Sequence, residues 1–314
     1  MYLAGIDGLP DLAARQHGVV AKPQLRGLGV SYSLIDHQLD AHRWSMHAPG
    51  VIVLHNHVPT RQQWMWIALL DAGEYSALGS HTALELHGMR VFASEAAHIH
   101  LVIPRGAKVR QLPLVQIHES RRFGLADKQW RQGFPCLGPA RSAVDAAAWQ
   151  RSRRFAMTMM AAVVQQRLCT VAELDAALAR CGRVRHKNYM RIALRDIAGG
   201  AESLGEIDVA ELCRRFGLEL PDRQVFRRDP SGRRRYLDCE WILADGTIVV
   251  LEIDGAHHLD VENWQADMRR ERKIVTSRRF VLRATAAEVY LDPADVVGDL
   301  RALGVPTTRV VRTQ

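Results

Sequence analysis

The segment that most constrains the fold is residues 247–254, TIVVLEID, in which an unbroken apolar run ends in two carboxylates. A short apolar run rich in β-branched residues is typical of a strand that is covered on both faces and therefore lies inside a sheet. Residues 237–243, LDCEWIL, form a second run before the turn ADG, so the pattern predicts a hairpin. Glycine and two histidines follow the carboxylates. A buried strand with so polar an end indicates the edge of a functional site.

The turn between the two runs predicts how the strands pair. If Ala244-Asp245-Gly246 is a three-residue loop with Gly246 in the left-handed region, Leu243 pairs with Thr247. The glycine favours this loop, because glycine adopts a positive φ without the steric penalty that other residues suffer.

That pairing places Asp238 opposite Glu252, and directly opposed residues point to the same face about 5 Å apart. Asp254 lies two residues further along the strand and therefore on the same face. A two-residue turn would instead place Cys239 opposite Glu252 and direct Asp238 to the other face. The longer loop thus predicts three carboxylates on one face.

Three clustered carboxylates repel one another unless a cation compensates them. The neighbouring same-face position of the strand, Val250, provides no basic group. Hard divalent cations such as Mg²⁺ (or Mn²⁺) prefer carboxylate oxygens, and a metal held there can polarise a phosphate and activate water. His257 and His258 are placed to act as a general base or to hold phosphate.

The segment YLDCEWILADGTIVVLEIDGAHH, followed by WQADMRRERKIV and the strand RFVLRAT, also resembles a known family. It is similar to the very-short-patch-repair branch of the PD-(D/E)XK nuclease superfamily, and more closely to an uncharacterised actinobacterial group with such a C-terminal domain. The resemblance covers roughly residues 200–305. It implies a restriction-endonuclease-like α/β fold and magnesium-dependent hydrolysis of DNA.

The resemblance also implies roles for single residues. Asp238 matches the metal-binding aspartate, Glu252 the glutamate of the E-x-K signature, and Glu206 the acid on the preceding helix. Glu206 has a second interpretation, because Ser203-x-x-Glu206 is also a capping box. Asp254 stands where the family has its lysine.

Because the lysine is missing, an active site would need another cation or proton carrier in its place. Arg270 and Lys273, on the helix predicted after the hairpin, are the candidates that can stabilise phosphate charge. His257 or His258 is the alternative, because the repair branch uses histidines near its metal.

Residues 5–54 predict three short helices followed by a hairpin, the order of a winged helix-turn-helix. Ser31 can cap the third helix, predicted over YSLIDHQLDAHRW, with Ile35 and Leu39 on its inner face. The outward side chains are Tyr32, Asp36, His37 and Arg43, and of these Tyr32, His37 and Arg43 are the candidate nucleic-acid contacts. The alternative is a small helical module that docks to another protein.

The chain divides by pattern into residues 1–58 (winged helix-turn-helix), 59–198 (mixed α/β) and 199–314 (endonuclease-like), with Gly199-Gly200 as the clearest boundary. The predicted fold class is thus a multidomain α/β protein. The N-terminal two-thirds resembles the AbiEi-type antitoxin or transcriptional-regulator domain, with PARSAVD at 139–145 as a recurring segment.

Charge and composition indicate which class of partner the protein binds and in which compartment it is expected. The net charge is +8, made up of +10 over residues 1–200 and −2 over 201–314. A basic excess favours an anionic partner, DNA above all, although nothing in the sequence excludes RNA. No apolar run is long enough for a membrane span and no signal peptide is evident, so we expect a cytoplasmic protein. The five cysteines form no C-x-x-C and indicate neither a zinc site nor a disulfide framework. The sequence is compatible with a homodimer.

Two functions follow from the sequence. The first is a DNA-binding, metal-dependent endonuclease, in which the N-terminal winged helix-turn-helix domain positions the C-terminal endonuclease-like domain on DNA. The second is a non-enzymatic DNA-binding regulator, such as the antitoxin of a toxin–antitoxin pair, with a degenerate nuclease domain. The absent lysine favours the second, and the retained acids favour the first.

Overall fold

The structure is a computed structural model that describes residues 5–92, 95–124, 127–199, 209–228, 234–254 and 278–308. The chain is a mixed α/β protein with two compact units, Met1–Asp145 and Ala146–Gln314. The domain boundaries expected near residues 58 and 198 remain predictions. In the described ranges, no helix combines the length and the hydropathy that a membrane crossing requires.

The first 53 residues contain the three predicted helices and the predicted hairpin, together with one strand that the sequence pattern did not indicate. The elements are α1 (Leu9–Arg15), β1 (Val19–Ala21), α2 (Lys22–Gly27), α3 (Tyr32–Asp40), β2 (Ser45–Ala48) and β3 (Val51–Val53). The strands form an antiparallel sheet in the order β1-β3-β2. Leu9, Leu25, Ile35 and Ile52 form the centre of its core.

Helix α3 begins as predicted and ends earlier than predicted. The Ser31 hydroxyl accepts a hydrogen bond from the Leu34 N–H at 3.1 Å, which is the expected N-cap. The helix stops at Asp40 rather than continuing to Trp44, because His42 adopts a left-handed φ of 52°. The turn buries Trp44 in the core and leaves Arg43 exposed beyond the helix.

The remainder of the first unit is a five-stranded sheet with helices. The elements are α4 (Arg61–Ala72), β4 (Ala77–Leu78), α5 (Ser80–Leu86), a 3-10 turn (Glu95–Ala97), β5 (Ile99–Pro104), β6 (Val115–Ser120), β7 (Lys128–Arg131) and β8 (Phe134–Leu137). The strand order is β6-β5-β4-β8-β7. Helix α4 packs Met65 and Ile67 into a core that also contains Val19 and Val53, so the small sheet and the large one share one core.

The second unit begins within α6 (Pro139–Trp149) and continues with α7 (Arg153–Gln165), α8 (Val171–Ala179) and α9 (Lys187–Gly199). Its sheet region comprises α10 (Val209–Phe216), β9 (Arg223–Arg228), β10 (Arg234–Ile242), β11 (Ile248–Asp254), β12 (Arg279–Thr285), α11 (Ala286–Leu291) and α12 (Pro293–Ala302). The strand order is β12-β11-β10-β9, with β11 antiparallel to β10 and parallel to β12. Strand β11 is therefore an inner strand, as its apolar run predicts.

One face of this sheet packs on the helices. Cys239, Trp241, Leu251 and Ile253 lie in a core with residues of α10 and α12. These side chains alternate along β10 and β11 with the residues of the opposite face. The alternation separates the apolar face of the sheet from the face that carries the carboxylates.

The PARSAVD segment has a structural role in the first unit. Asp145 is fully buried and accepts hydrogen bonds from Arg141 Nε at 2.7 Å and from Arg122 Nη2 at 2.8 Å. Burial raises the pKa of this carboxyl, and the two guanidiniums act in the opposite direction. A buried carboxylate held by two arginines is costly to leave incomplete.

We therefore expect Asp145→Ala to lower the free energy of unfolding by about 3–5 kcal/mol, because it leaves two arginines without their shared partner. Urea denaturation followed by circular dichroism measures the change. Asp127→Ala is the matched control, since Asp127 also approaches Arg141, at 3.9 Å, but is 41% exposed. Equal effects of the two substitutions would contradict the structural role of Asp145.

Three histidines form a group between α5 and the strands β5 and β6, with His81 and His100 buried and His118 partly buried. His100 Nδ1 lies 2.9 Å from His118 Nε2, and the rings of His81 and His100 are 5.1 Å apart. Burial, and to a smaller extent the neighbouring imidazoles, lowers the pKa of His81 and of His118 to about 3. All three rings are therefore neutral near pH 7.

This group predicts acid sensitivity. The unfolded chain takes up protons below the ordinary histidine pKa of 6.5, whereas the folded protein resists protonation until about pH 3. Stability is therefore complete above about pH 6.5 and declines as the pH falls towards 3. In His118→Gln, which cannot titrate, the decline should be shallower by up to about 1.4 kcal/mol per pH unit. Urea midpoints measured from pH 7.5 to 4 test this, and equal slopes would refute it.

Candidate functional site

The hairpin loop has the predicted conformation. Gly246 has a φ of 80°, and the Leu243 N–H donates to the Thr247 carbonyl at 2.8 Å. The Asp245 carboxylate accepts from the backbone N–H and from the hydroxyl of Thr247, each at 2.9 Å. The loop therefore has three residues, and Leu243 and Thr247 flank it as the turn chemistry indicates.

The register that follows is also the predicted one. Asp238 is the Cα partner of Glu252, and Tyr236 is the partner of Asp254. Residues 238, 252 and 254 therefore belong to one face of the sheet, which we call the acidic face. The structure describes Asp238 and Asp254 by their backbone positions, and Glu252 with its half-buried side chain.

Two arginines of β12 compensate acids of this face. Arg283 is the Cα partner of Glu252 on the parallel strand, and its Nε donates to Glu252 Oε2 at 2.9 Å. Arg279 Nη2 donates to Glu240 Oε1 at 2.7 Å. Both pairs are partly exposed, and such pairs contribute about 1 kcal/mol or less to stability.

Sequence reasoning missed Glu240 and Arg283. Glu240 was within reach, because it lies two residues after Asp238 and so shares its face. Arg283 was not, because β11 and β12 are parallel, and a parallel pair has no tight turn from which its register can be counted. Val250 alone suggested that no base lies beside Glu252, and the neighbouring strand corrects that expectation.

Several predicted site residues lie outside the described residues: Glu206, His257, His258, Arg270 and Lys273. Their predicted roles stay predictions. Among the side chains that the structure describes, no group of three histidine, cysteine, aspartate or glutamate residues is arranged to hold a metal ion. The carboxylate oxygens implied by Asp238 and Glu252 are nonetheless the donor type that Mg²⁺ takes.

The three candidate nucleic-acid contacts lie at the surface of the first unit. Tyr32 is 58% exposed at the start of α3, and the guanidinium of Arg26 lies 4.7 Å from its ring centroid. His37 is exposed on the same helix, and Arg43 is exposed in the turn that follows it. Helix α3 thus exposes an aromatic ring, an imidazole and the carboxylate of Asp36, and Arg26 of α2 lies against the aromatic ring.

No protein-family model and no curated protein sequence matches this chain. Among solved structures, the RV2827C protein from Mycobacterium tuberculosis is similar, with 17% sequence identity and a TM-score of 0.41. The similarity covers 72% of this chain and 89% of that one. A similarity this weak implies nothing about activity.

Proposed function

We propose that the protein is a DNA-directed, metal-dependent phosphodiesterase of the endonuclease type. The observation that carries the proposal is the pairing of Asp238 with Glu252 across β10 and β11. Acids directly opposite each other destabilise a sheet, so their presence there favours a use that needs them. Asp254, two residues along, adds a third acid to the same face.

The residues fit a Mg²⁺ or Mn²⁺ site in donor type. Asp238 and Glu252 would hold the ion, with Glu206 as a further ligand. The bound ion would polarise the phosphodiester and lower the pKa of water for attack. Asp254 completes the acid cluster, His257 or His258 would accept the proton from water, and Arg270 or Lys273 would stabilise phosphate charge.

The fold of residues 9–53 supports DNA as the substrate. The order helix, strand, two helices and two strands, with the sheet order β1-β3-β2, is that expected of a winged helix-turn-helix. In such a module the third helix enters the major groove and the hairpin forms the wing. Tyr32 and His37 on α3, and Arg43 after it, would then contact DNA, consistent with the net charge of +10 over residues 1–200.

One observation favours the second candidate function, a DNA-binding regulator with a degenerate nuclease domain. Glu252 already has a cationic partner in Arg283, and Asp254 stands at the position of the lysine. An internally neutralised site without that lysine suits a scaffold as well as a catalyst. The two functions differ in what divalent metal does to the protein.

The first prediction from this proposal concerns metal binding and cleavage by the full chain. Asp238→Ala and Glu252→Ala should each abolish Mg²⁺ binding in calorimetry and reduce cleavage of supercoiled DNA to below about one hundredth of the wild-type rate. Glu219→Ala, which removes an exposed acid before β9, should change neither. A folded wild-type protein that binds neither Mg²⁺ nor Mn²⁺ would overturn the nuclease function and leave the regulator.

The second prediction concerns DNA binding by the proposed winged helix-turn-helix, residues 9–53. Arg43→Ala should weaken binding of duplex DNA by about 10-fold and lower the slope of log K against log salt by about 1, because one phosphate contact is lost. Fluorescence anisotropy with labelled duplex at several salt concentrations measures both. Arg167→Ala, in the loop after α7, is the control, and equal losses in the two variants would contradict a DNA contact at Arg43.

A further inference from the structure

A cavity of about 320 Å³ lies beside strand β12 in the second unit. The start of α7 forms one wall with Arg151 and Arg154, and β12 forms another with Arg283. Helices α11 and α12 close the remaining side. Arg283 therefore belongs both to this cavity and to the acidic face, where it pairs with Glu252.

The acids that line the cavity are largely engaged. Glu288 accepts hydrogen bonds from the N–H of Thr285 at 2.8 Å and from its hydroxyl at 2.9 Å, which caps α11. Asp292 and Asp295 both accept from Arg153. Asp299 also lines the cavity. The cavity lining as a whole carries four carboxylates and four arginines, so its formal charges balance.

Arg283 differs from Arg279, the other arginine that β12 contributes to the acidic face. Both are partly exposed, at 43% and 44%, and both pair with a glutamate. Only Arg283 of these two lines the cavity. A planar guanidinium with several N–H donors suits bidentate contact with phosphate, which a lysine at this place would not provide.

We propose that Arg283 is the phosphate-binding residue of the acidic face and that the cavity, with Arg151 and Arg154, receives a phosphate of the nucleic-acid strand. The inference rests on the proposed function, because the acidic face is the place of hydrolysis. A phosphate approaching Asp238 and Glu252 needs a cation beside those acids. Arg283 supplies it from the neighbouring strand, where it lies opposite Glu252 and two residues before Thr285, the partner of Asp254.

The pairing of Arg283 with Glu252 affects how strongly Arg283 can bind phosphate. Glu252 competes with phosphate for the same guanidinium. Loss of the Glu252 charge should therefore tighten phosphate binding in the absence of metal, although it destroys the metal site. A purely structural ion pair would not have this effect.

The experiment is calorimetric titration of the full chain with thymidine 5′-monophosphate in the presence of a chelator. Arg283→Gln should weaken binding at least 10-fold, Arg283→Lys should recover part of the loss, and Glu252→Gln should tighten binding several-fold. Arg279→Gln is the matched control, since it breaks a similar ion pair on the same strand, and should leave the Kd within twofold.

No binding to the wild type at millimolar nucleotide, or equal losses in Arg283→Gln and Arg279→Gln, would overturn the proposal. Because the titration is metal-free, it is separate from the cleavage assay. Nucleotide binding with the expected pattern, in a protein that cleaves nothing with Mg²⁺ or Mn²⁺, would leave the phosphate site standing and refute hydrolysis.

Discussion

The candidate site depends on one hydrogen-bonded turn. The left-handed Gly246 allows a three-residue loop, and the bond from the Leu243 N–H to the Thr247 carbonyl closes it at 2.8 Å. Because the side-chain period of a strand is two, a loop one residue shorter would move Asp238 to the apolar face of the sheet. The pairing of Asp238 with Glu252 is thus a consequence of the backbone conformation at one glycine.

The parts of the fold that local chemistry determines could be predicted from the sequence. The cap at Ser31 and the ADG loop need only residues within a few positions of each other. The end of α3 was harder, since it depends on burial of Trp44 in the core rather than on a glycine or a proline. Strand β1 has only three residues, too few to show a period.

The candidate site shows the same difference between local and long-range information. The acids on β10 and β11 could be placed by counting from a turn. Arg283 could not, because β12 pairs parallel with β11, and a parallel pair has no tight turn from which its register can be counted. Residues 59–198 also contain both a contact that is local in sequence and one that is not. The i, i+4 pair Arg141–Asp145 can be read on a helix, but Arg122, the second partner of Asp145, comes from a segment far away in sequence.

The balance of charge at the acidic face also shows why a missing lysine does not by itself decide between an enzyme and a scaffold. The carboxylate of Glu252 is the donor type that a divalent cation takes, with or without a guanidinium beside it. A metal ion that binds Glu252 would weaken its hold on Arg283 and leave the guanidinium next to the proposed phosphate site. The same ion pair can therefore stabilise the metal-free protein and supply the cation for the substrate. Arg279 and Arg283 differ in this respect, because of these two only Arg283 lines the cavity.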